Sequence, residues 1–217
     1  MTGVVAPHAG QPVMTLGAPL GAARVVVIAV HGRNASPRNI LDLAPVIGNG
    51  HVTFVAPAAA GGTWYPLSFL SPIAANEPGI SSGIAVVHGL IDDAIAAGVS
   101  AERIVLLGFS QGACLAATAA QQRPMRYGGL VIFSGALIGP PGTVWSEAGE
   151  FGGTPVFFGC SDVDGHIPAD RVRESAALFE RMGADVTMRL YPGMGHLVNE
   201  EEVAFARDLL ASLQEGP

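Results

Sequence analysis

Residues 102–122 read ERIVLLGFSQGACLAATAAQQ, and their reading decides the fold. Ile104 to Phe109 is an uncharged run of strand length, the pattern of a strand buried on both faces. From Gln111 the residues are small and helix-compatible. Between the two stand Gly108-Phe109-Ser110-Gln111-Gly112. This is the G-x-S-x-G arrangement of a nucleophile elbow, a sharp strand-to-helix turn that presents a serine hydroxyl at the carboxyl edge of a sheet. A side chain at either glycine would meet neighbouring backbone where the strand turns. The first turn of the helix leaves N–H groups without acceptors, pointed at whatever reacts there.

Working outward, strands and helices alternate. Residues 24–30 (RVVVIAV) are a β-branched run that reads as a second buried central strand, and residues 13–16 as a short edge strand. Ser36 caps an expected helix that has Pro37 at its first position and Gly48-Asn49-Gly50 as its stop. Further strands are expected at 51–56, 130–133, 155–160 and 186–191, and further helices at 82–97, 169–182 and after Asn199. Two long Pro/Gly-rich connections, 57–82 and 135–153, carry the tryptophans and are of a length usually tied to function. The alternation implies a mainly parallel α/β sheet with helices on both faces, whose chemistry gathers at the carboxyl ends of the strands.

A chain of 217 residues is the size of a single domain (1–217), with 1–12 expected to be a loose N-terminal segment. Hydrophobic residues make up 49% and charged ones 13%, which argues against disorder. The net charge is −7 and every basic residue is arginine, so a nucleic-acid groove or an anionic membrane surface is not expected as partner. Cys114 and Cys160 form no disulfide framework and read as buried thiols. The opening MTGVVAPHAGQP lacks the features of a signal peptide, and the longest apolar runs are strand-sized. A soluble cytoplasmic protein without membrane insertion is the expectation; apolar surface leaves room for a homodimer with no interface assigned.

The motif alone has little weight in a chain with 29 glycines, where chance supplies roughly 0.2 copies. A second copy exists, Gly79-Ile80-Ser81-Ser82-Gly83, but no strand leads into it, and Ser81 reads as a helix-cap serine. Ser110 has the strand–turn–helix context and is the candidate nucleophile. A hydroxyl needs a base, usually histidine. His196, in the loop between the last strand and the last helix, is the candidate, with His166 second. The acid belongs in the loop after strand 155–160, where Asp162 and Asp164 both qualify. Asp-x-Asp-Gly-His also has the look of a metal loop, but no glutamate stands at the bidentate position. Two backbone N–H donors for an oxyanion are expected from Gln111 and from the His31-Gly32-Arg33-Asn34 turn, with Arg33 the donor. The Arg33 side chain reads either as a contact to an anionic substrate group or as solvated surface.

The segments HGRNAS, ERIVLLGFSQGACLA, DGHIP and YPGMGH, in this order and spacing, resemble the small phospholipase/carboxylesterase (acyl-protein-thioesterase-like) branch of the α/β-hydrolases. AAAGGTWYP and ANEPGISS resemble a bacterial esterase or dienelactone-hydrolase-like subgroup. The resemblance covers about residues 13–213 and implies an α/β-hydrolase fold without a separate cap domain. It implies the triad Ser110, Asp164 and His196, oxyanion donors Arg33 and Gln111, and Trp64 on the acyl pocket. The acid loop departs from the family pattern: Gly159 points to Asp162, whereas Pro168 points to Asp164. Dienelactone hydrolases proper carry a cysteine where this chain has Ser110. The expectation is a serine carboxylesterase for small to medium acyl esters, with no metal or cofactor. Tyr65, Leu67, Phe69, Leu70 and Met194 complete the expected substrate site beside Trp64. Thioester or lysophospholipid hydrolysis uses the same machinery, and a non-catalytic small-molecule binding protein is the reading from another class.

Overall fold

The computed structural model describes residues 5–48 and 50–215. Among the described residues, seven strands form one sheet: β1 (Val13–Leu16), β2 (Val25–Val30), β3 (Val52–Pro57), β4 (Ile104–Phe109), β5 (Gly129–Phe133), β6 (Pro155–Ser161) and β7 (Asp185–Tyr191). Their spatial order is β1-β3-β2-β4-β5-β6-β7. Only β1 runs antiparallel to its neighbour. The helices are α1 (Pro37–Leu41), α2 (Ala44–Ile47), α3 (Ile73–Asn76), α4 (Gly79–Ala96), α5 (Gln111–Gln122), α6 (Ala169–Arg181) and α7 (Glu200–Glu215).

Alternate residues of each strand point to opposite faces, which divides the core in two. Val26, Ile28, Val30, Ile104 and Leu106 pack with α4, α5 and α6. Val25, Val27, Ala29, Val105 and Leu107 pack with α1, α2 and α7. The α/β architecture expected from the alternation is therefore present. Helix α5 is buried from Gln111 to Gln121, because alanine, glycine, cysteine and threonine let it lie close against the sheet.

The register brings the functional segments to one edge. Val30 pairs with Gly108, Phe109 with Phe133, Phe133 with Gly159, and Ser161 with Tyr191. The residues that follow these strand ends emerge together at the carboxyl edge of the sheet.

Four local expectations differ from the structure. The helix expected from Ser36 to Gly48 is two short helices, because Pro45 has no N–H for the Leu41 carbonyl and its ring crowds it. Helix α4 starts at Gly79, so Ser81 lies inside its first turn. The Glu77 carboxylate accepts both the Ser81 N–H, at 3.0 Å, and the Ser81 hydroxyl, at 2.7 Å, so it is the cap. Helix α4 is also long and apolar enough to cross a membrane by length and composition, longer than the strand-sized runs expected; its core face packs on α5 and the sheet. The described part of the expected loose terminus is docked: His8 is buried and bonds Ser82, Trp64 and Ala60. Residues 1–4 of that terminus, and Asn49 of the helix stop, lie outside the described residues.

Candidate active site

Ser110 sits at the turn between β4 and α5 with φ 54° and ψ −120°, a backbone conformation that side-chain-bearing residues rarely adopt. The surroundings hold it there. Its N–H donates to the Phe133 carbonyl at 2.9 Å, and its carbonyl accepts the Cys114 N–H at 3.0 Å. A Cβ at Gly108 would lie 2.6 Å from the Ala113 nitrogen. One at Gly112 would run into the carbonyl oxygens of Val30 and His31. Both glycines are thus required by close backbone approach, and the second copy of the motif has no such strand beneath it.

The Ser110 hydroxyl lies 2.8 Å from His196 Nε2, and His196 Nδ1 lies 2.7 Å from Asp164 Oδ2. The Asp164 side chain is fully buried, while that of His196 is 21% exposed. Burial pushes the Asp164 carboxyl up. The hydrogen bonds from His196 and from the His166 and Ile167 N–H groups outweigh it and hold the carboxyl below its ordinary value. An ionised Asp164 makes Nδ1 the protonated nitrogen, which leaves the Nε2 lone pair facing the serine hydroxyl. Phe109 and His166 flank the His196 ring at 5.0 and 4.8 Å. His166 is beside the His196 ring, and among the described residues it is His196, not His166, that meets the Ser110 hydroxyl.

The two aspartates have separate places. Asp162 Oδ1 accepts the Gly193 N–H at 2.8 Å and so pins the turn that leads to His196. Asp164 alone meets the histidine. Ser161, at the end of β6, joins the two loops: its hydroxyl accepts the N–H groups of Val163 at 3.2 Å and Gly195 at 3.0 Å. Among the described residues, no three His, Cys, Asp or Glu side chains are grouped to hold a metal ion.

Gln111 and Arg33, each with a backbone N–H group, line one cleft with Ser110. That of Gln111 opens α5, where the helix supplies no acceptor. That of Arg33 follows Gly32, whose Cα packs on Phe109 and Ser110: a Cβ there would lie 3.4 Å from the Phe109 carbonyl and 3.6 Å from Ser110 Cβ. The side chains of both residues brace the long loop after β3. Gln111 Oε1 accepts the Trp64 N–H at 2.8 Å, and its Nε2 donates to the Tyr65 carbonyl at 2.8 Å. The Arg33 guanidinium donates to the carbonyls of Pro66 at 2.8 Å and Leu67 at 2.5 Å. It is therefore anchored to the loop rather than merely solvated.

Ser110 opens into a cleft of about 610 Å³ walled by Arg33, Tyr65, Leu67, Phe69, His166 and Ile167 among others. Of the residues expected at the substrate site, Tyr65, Leu67 and Phe69 line this cleft. Trp64, Leu70 and Met194 do not line it. Trp64 is completely buried between the rings of His8 and His31, with its indole N–H on the His31 carbonyl at 2.9 Å. It supports the wall from behind. Leu70 packs on the core. The Met194 sulfur accepts the Asn199 amide N–H. His8 and His31 each accept a backbone N–H, from Ala60 and Ala59, and burial lowers the pKa of both, so both are held neutral. Cys114 lines the cleft one turn beyond Ser110, but burial pushes its thiol up to about 12, which removes it as a nucleophile.

Sequence reasoning missed the bracing roles of the Gln111 side chain, Ser161 and His8. The glutamine between Ser110 and Gly112 was visible as the distinctive part of the motif; Ser161 and His8 carried no local signal.

Residues 15–214 match the phospholipase/carboxylesterase family, an α/β-hydrolase family, and the chain belongs to it. It is similar to a phospholipase/carboxylesterase of Dyadobacter fermentans, with 33% identity and a TM-score of 0.90 over 96% of this chain and 99% of that one. It is also similar to acyl-protein thioesterase 1 of Kluyveromyces lactis, 30% identical over 83% of this chain and 88% of the relative. A probable carboxylesterase of Oryza sativa is 31% identical over 62% of this chain. The matches to that protein and to a second rice carboxylesterase span 57% and 51% of the relatives' lengths.

Proposed function

We propose that the protein is a serine carboxylesterase that cleaves small to medium acyl esters through an acyl-enzyme. The observation that carries this reading is the hydrogen-bonded chain from Ser110 through His196 to the buried Asp164, at the floor of an open cleft. Ser110 Oγ attacks the ester carbonyl while His196 Nε2 takes its proton. The negative oxygen that forms is received by the Gln111 and Arg33 N–H groups. Collapse expels the alcohol, to which His196 returns the proton. Water, deprotonated by the same nitrogen, then attacks the acyl-serine and frees the acid. Asp164 holds the histidine tautomer and steadies the imidazolium. No step requires a metal or cofactor.

A fluorophosphonate probe tests the nucleophile: the wild type is labelled and Ser110→Ala is not. Absence of labelling overturns the proposal in favour of a non-catalytic binding protein, and labelling that survives Ser110→Ala overturns Ser110 as the nucleophile. The similarity to an acyl-protein thioesterase brings thioester hydrolysis in as a second reading. Turnover of matched acyl esters and thioesters of graded length separates the two.

A further inference from the structure

The ionisable groups around the cleft are unlike those of the chain as a whole. The protein has 18 acidic residues against 11 arginines, yet among the described residues no aspartate or glutamate lines the cleft. The ionisable side chains that do are Arg33, His166, His196, Tyr65 and Cys114. Burial raises the pKa of the last two, so they stay uncharged. The nearest carboxylate, Asp164, is fully buried behind His196, and its oxygens are taken by that histidine and by two backbone N–H groups. Arg33 is exposed; it donates to two carbonyls and its guanidinium lies over the Tyr65 ring, 5.9 Å from the centroid, and among the described residues no carboxylate pairs with it. Those two bonds fix the guanidinium against the Leu67 side of the cleft and leave further N–H donors of its five. The positive end of α5 points at the same space.

Resting on the esterase reading above, we infer that the cleft selects acyl groups that carry a negative charge near the ester, half-esters of short dicarboxylic acids, with Arg33 receiving the distal carboxylate. Leu67 and Phe69 wall the intervening methylenes. The ester carbonyl lies at Ser110, and the small alcohol leaves past His196 and His166. A cationic acyl group of the same size meets Arg33 with nothing to neutralise it.

The test uses three methyl esters of matched shape followed by pH-stat: monomethyl glutarate as the anion, the gamma-trimethylammoniobutyrate ester as the cation, and methyl isoheptanoate as the neutral. The expected kcat/KM ratio of anion to cation is about tenfold and no more than about twenty-five-fold, since an exposed charge contact contributes up to about fivefold in each direction. That ratio falls toward one as ionic strength rises, because the contact is exposed. In Arg33→Gln, which keeps a polar N–H donor but lacks the charge, the ratio collapses at low salt. An anion turned over no faster than the cation, or a ratio insensitive to salt, overturns the inference while the neutral ester still reports an esterase. If no ester is turned over and Ser110 takes no fluorophosphonate, the esterase reading falls, and this inference with it. Should Arg33→Gln fail to fold, the salt dependence of the wild type decides.

Discussion

Replacing Asp164 by asparagine exchanges one oxygen for an NH2 group, and the structure dictates which one. Asp164 Oδ1 accepts the His166 N–H at 2.8 Å and the Ile167 N–H at 3.1 Å. Two donors converge there, so the amide oxygen of asparagine must keep that place. The NH2 is then turned toward His196 Nδ1, where Oδ2 stood at 2.7 Å. A donor facing Nδ1 forces that nitrogen to accept, and the ring proton moves to Nε2. Nε2 faces Ser110 Oγ at 2.8 Å, so the ring now donates to the hydroxyl it should deprotonate. A wrong-tautomer histidine in a serine triad costs about ten-thousandfold in kcat, or ~5.5 kcal/mol of barrier.

The assay is kcat and KM for hydrolysis of p-nitrophenyl butyrate, with thermal melts showing that both variants fold. KM should change little, because the loss lies in the reacting state. Asp162→Asn is the matched control. Its oxygen on the Gly193 N–H, at 2.8 Å, survives as an amide oxygen, so the turn before His196 keeps its anchor. Turnover should fall by less than about threefold, since no group at the reacting atoms changes. A loss under about tenfold in Asp164→Asn, against the ten-thousandfold expected, would refute the tautomer argument. So would a larger loss in Asp162→Asn.

Ser110→Gly should be inactive yet more stable than Ser110→Ala by about 1–3 kcal/mol, read from denaturant midpoints, because glycine tolerates φ 54° without strain. Gln111→Ala keeps the backbone N–H at the serine but leaves the Trp64 N–H and Tyr65 carbonyl without their partner; a stability loss of about 2–4 kcal/mol is expected by the same measurement. Burial raises the Glu202 carboxyl to about 7, so the folded state favours its protonated form. That contribution is complete below the unfolded value near 4.5 and is lost as pH rises through about 7. Glu202→Gln should therefore flatten the loss of stability between about pH 4.5 and 7 in urea titrations; an unchanged slope would contradict it.

The fold was legible because its signals are local and repeated. Buried parallel strands read as uncharged β-branched runs, as in residues 25–30, and each is punctuated by glycine or a capping residue. What escaped depends on contacts across the chain. Nothing near His8 shows that its ring reaches Trp64 and Ala60, more than fifty residues away. Nothing near Trp64 shows that it turns inward between two histidines, since a tryptophan in a long loop suits a pocket wall equally well. The break of the first helix had a local cause in view, Pro45, and so did the cap of α4, Glu77 four residues before Ser81.

The site divides along the same line. Ser110 and His196 were readable because each has a local frame: an elbow with glycines at fixed offsets, and a loop after the last strand. The acid had no such frame. Asp162 and Asp164 both follow β6 and differ by two residues, and which one reaches the histidine depends on how two loops lie against each other. Four bonds decide it: Gly193 takes Asp162, Ser161 ties Gly195 to the acid loop, and His166 and Ile167 turn Asp164 inward. The spread of two residues between the Gly159 and Pro168 signals thus separates two tasks that one aspartate would otherwise share. One carboxylate shapes the base loop and the other orients the base. Asp162 can therefore be altered without touching the proton relay, whereas Asp164 cannot.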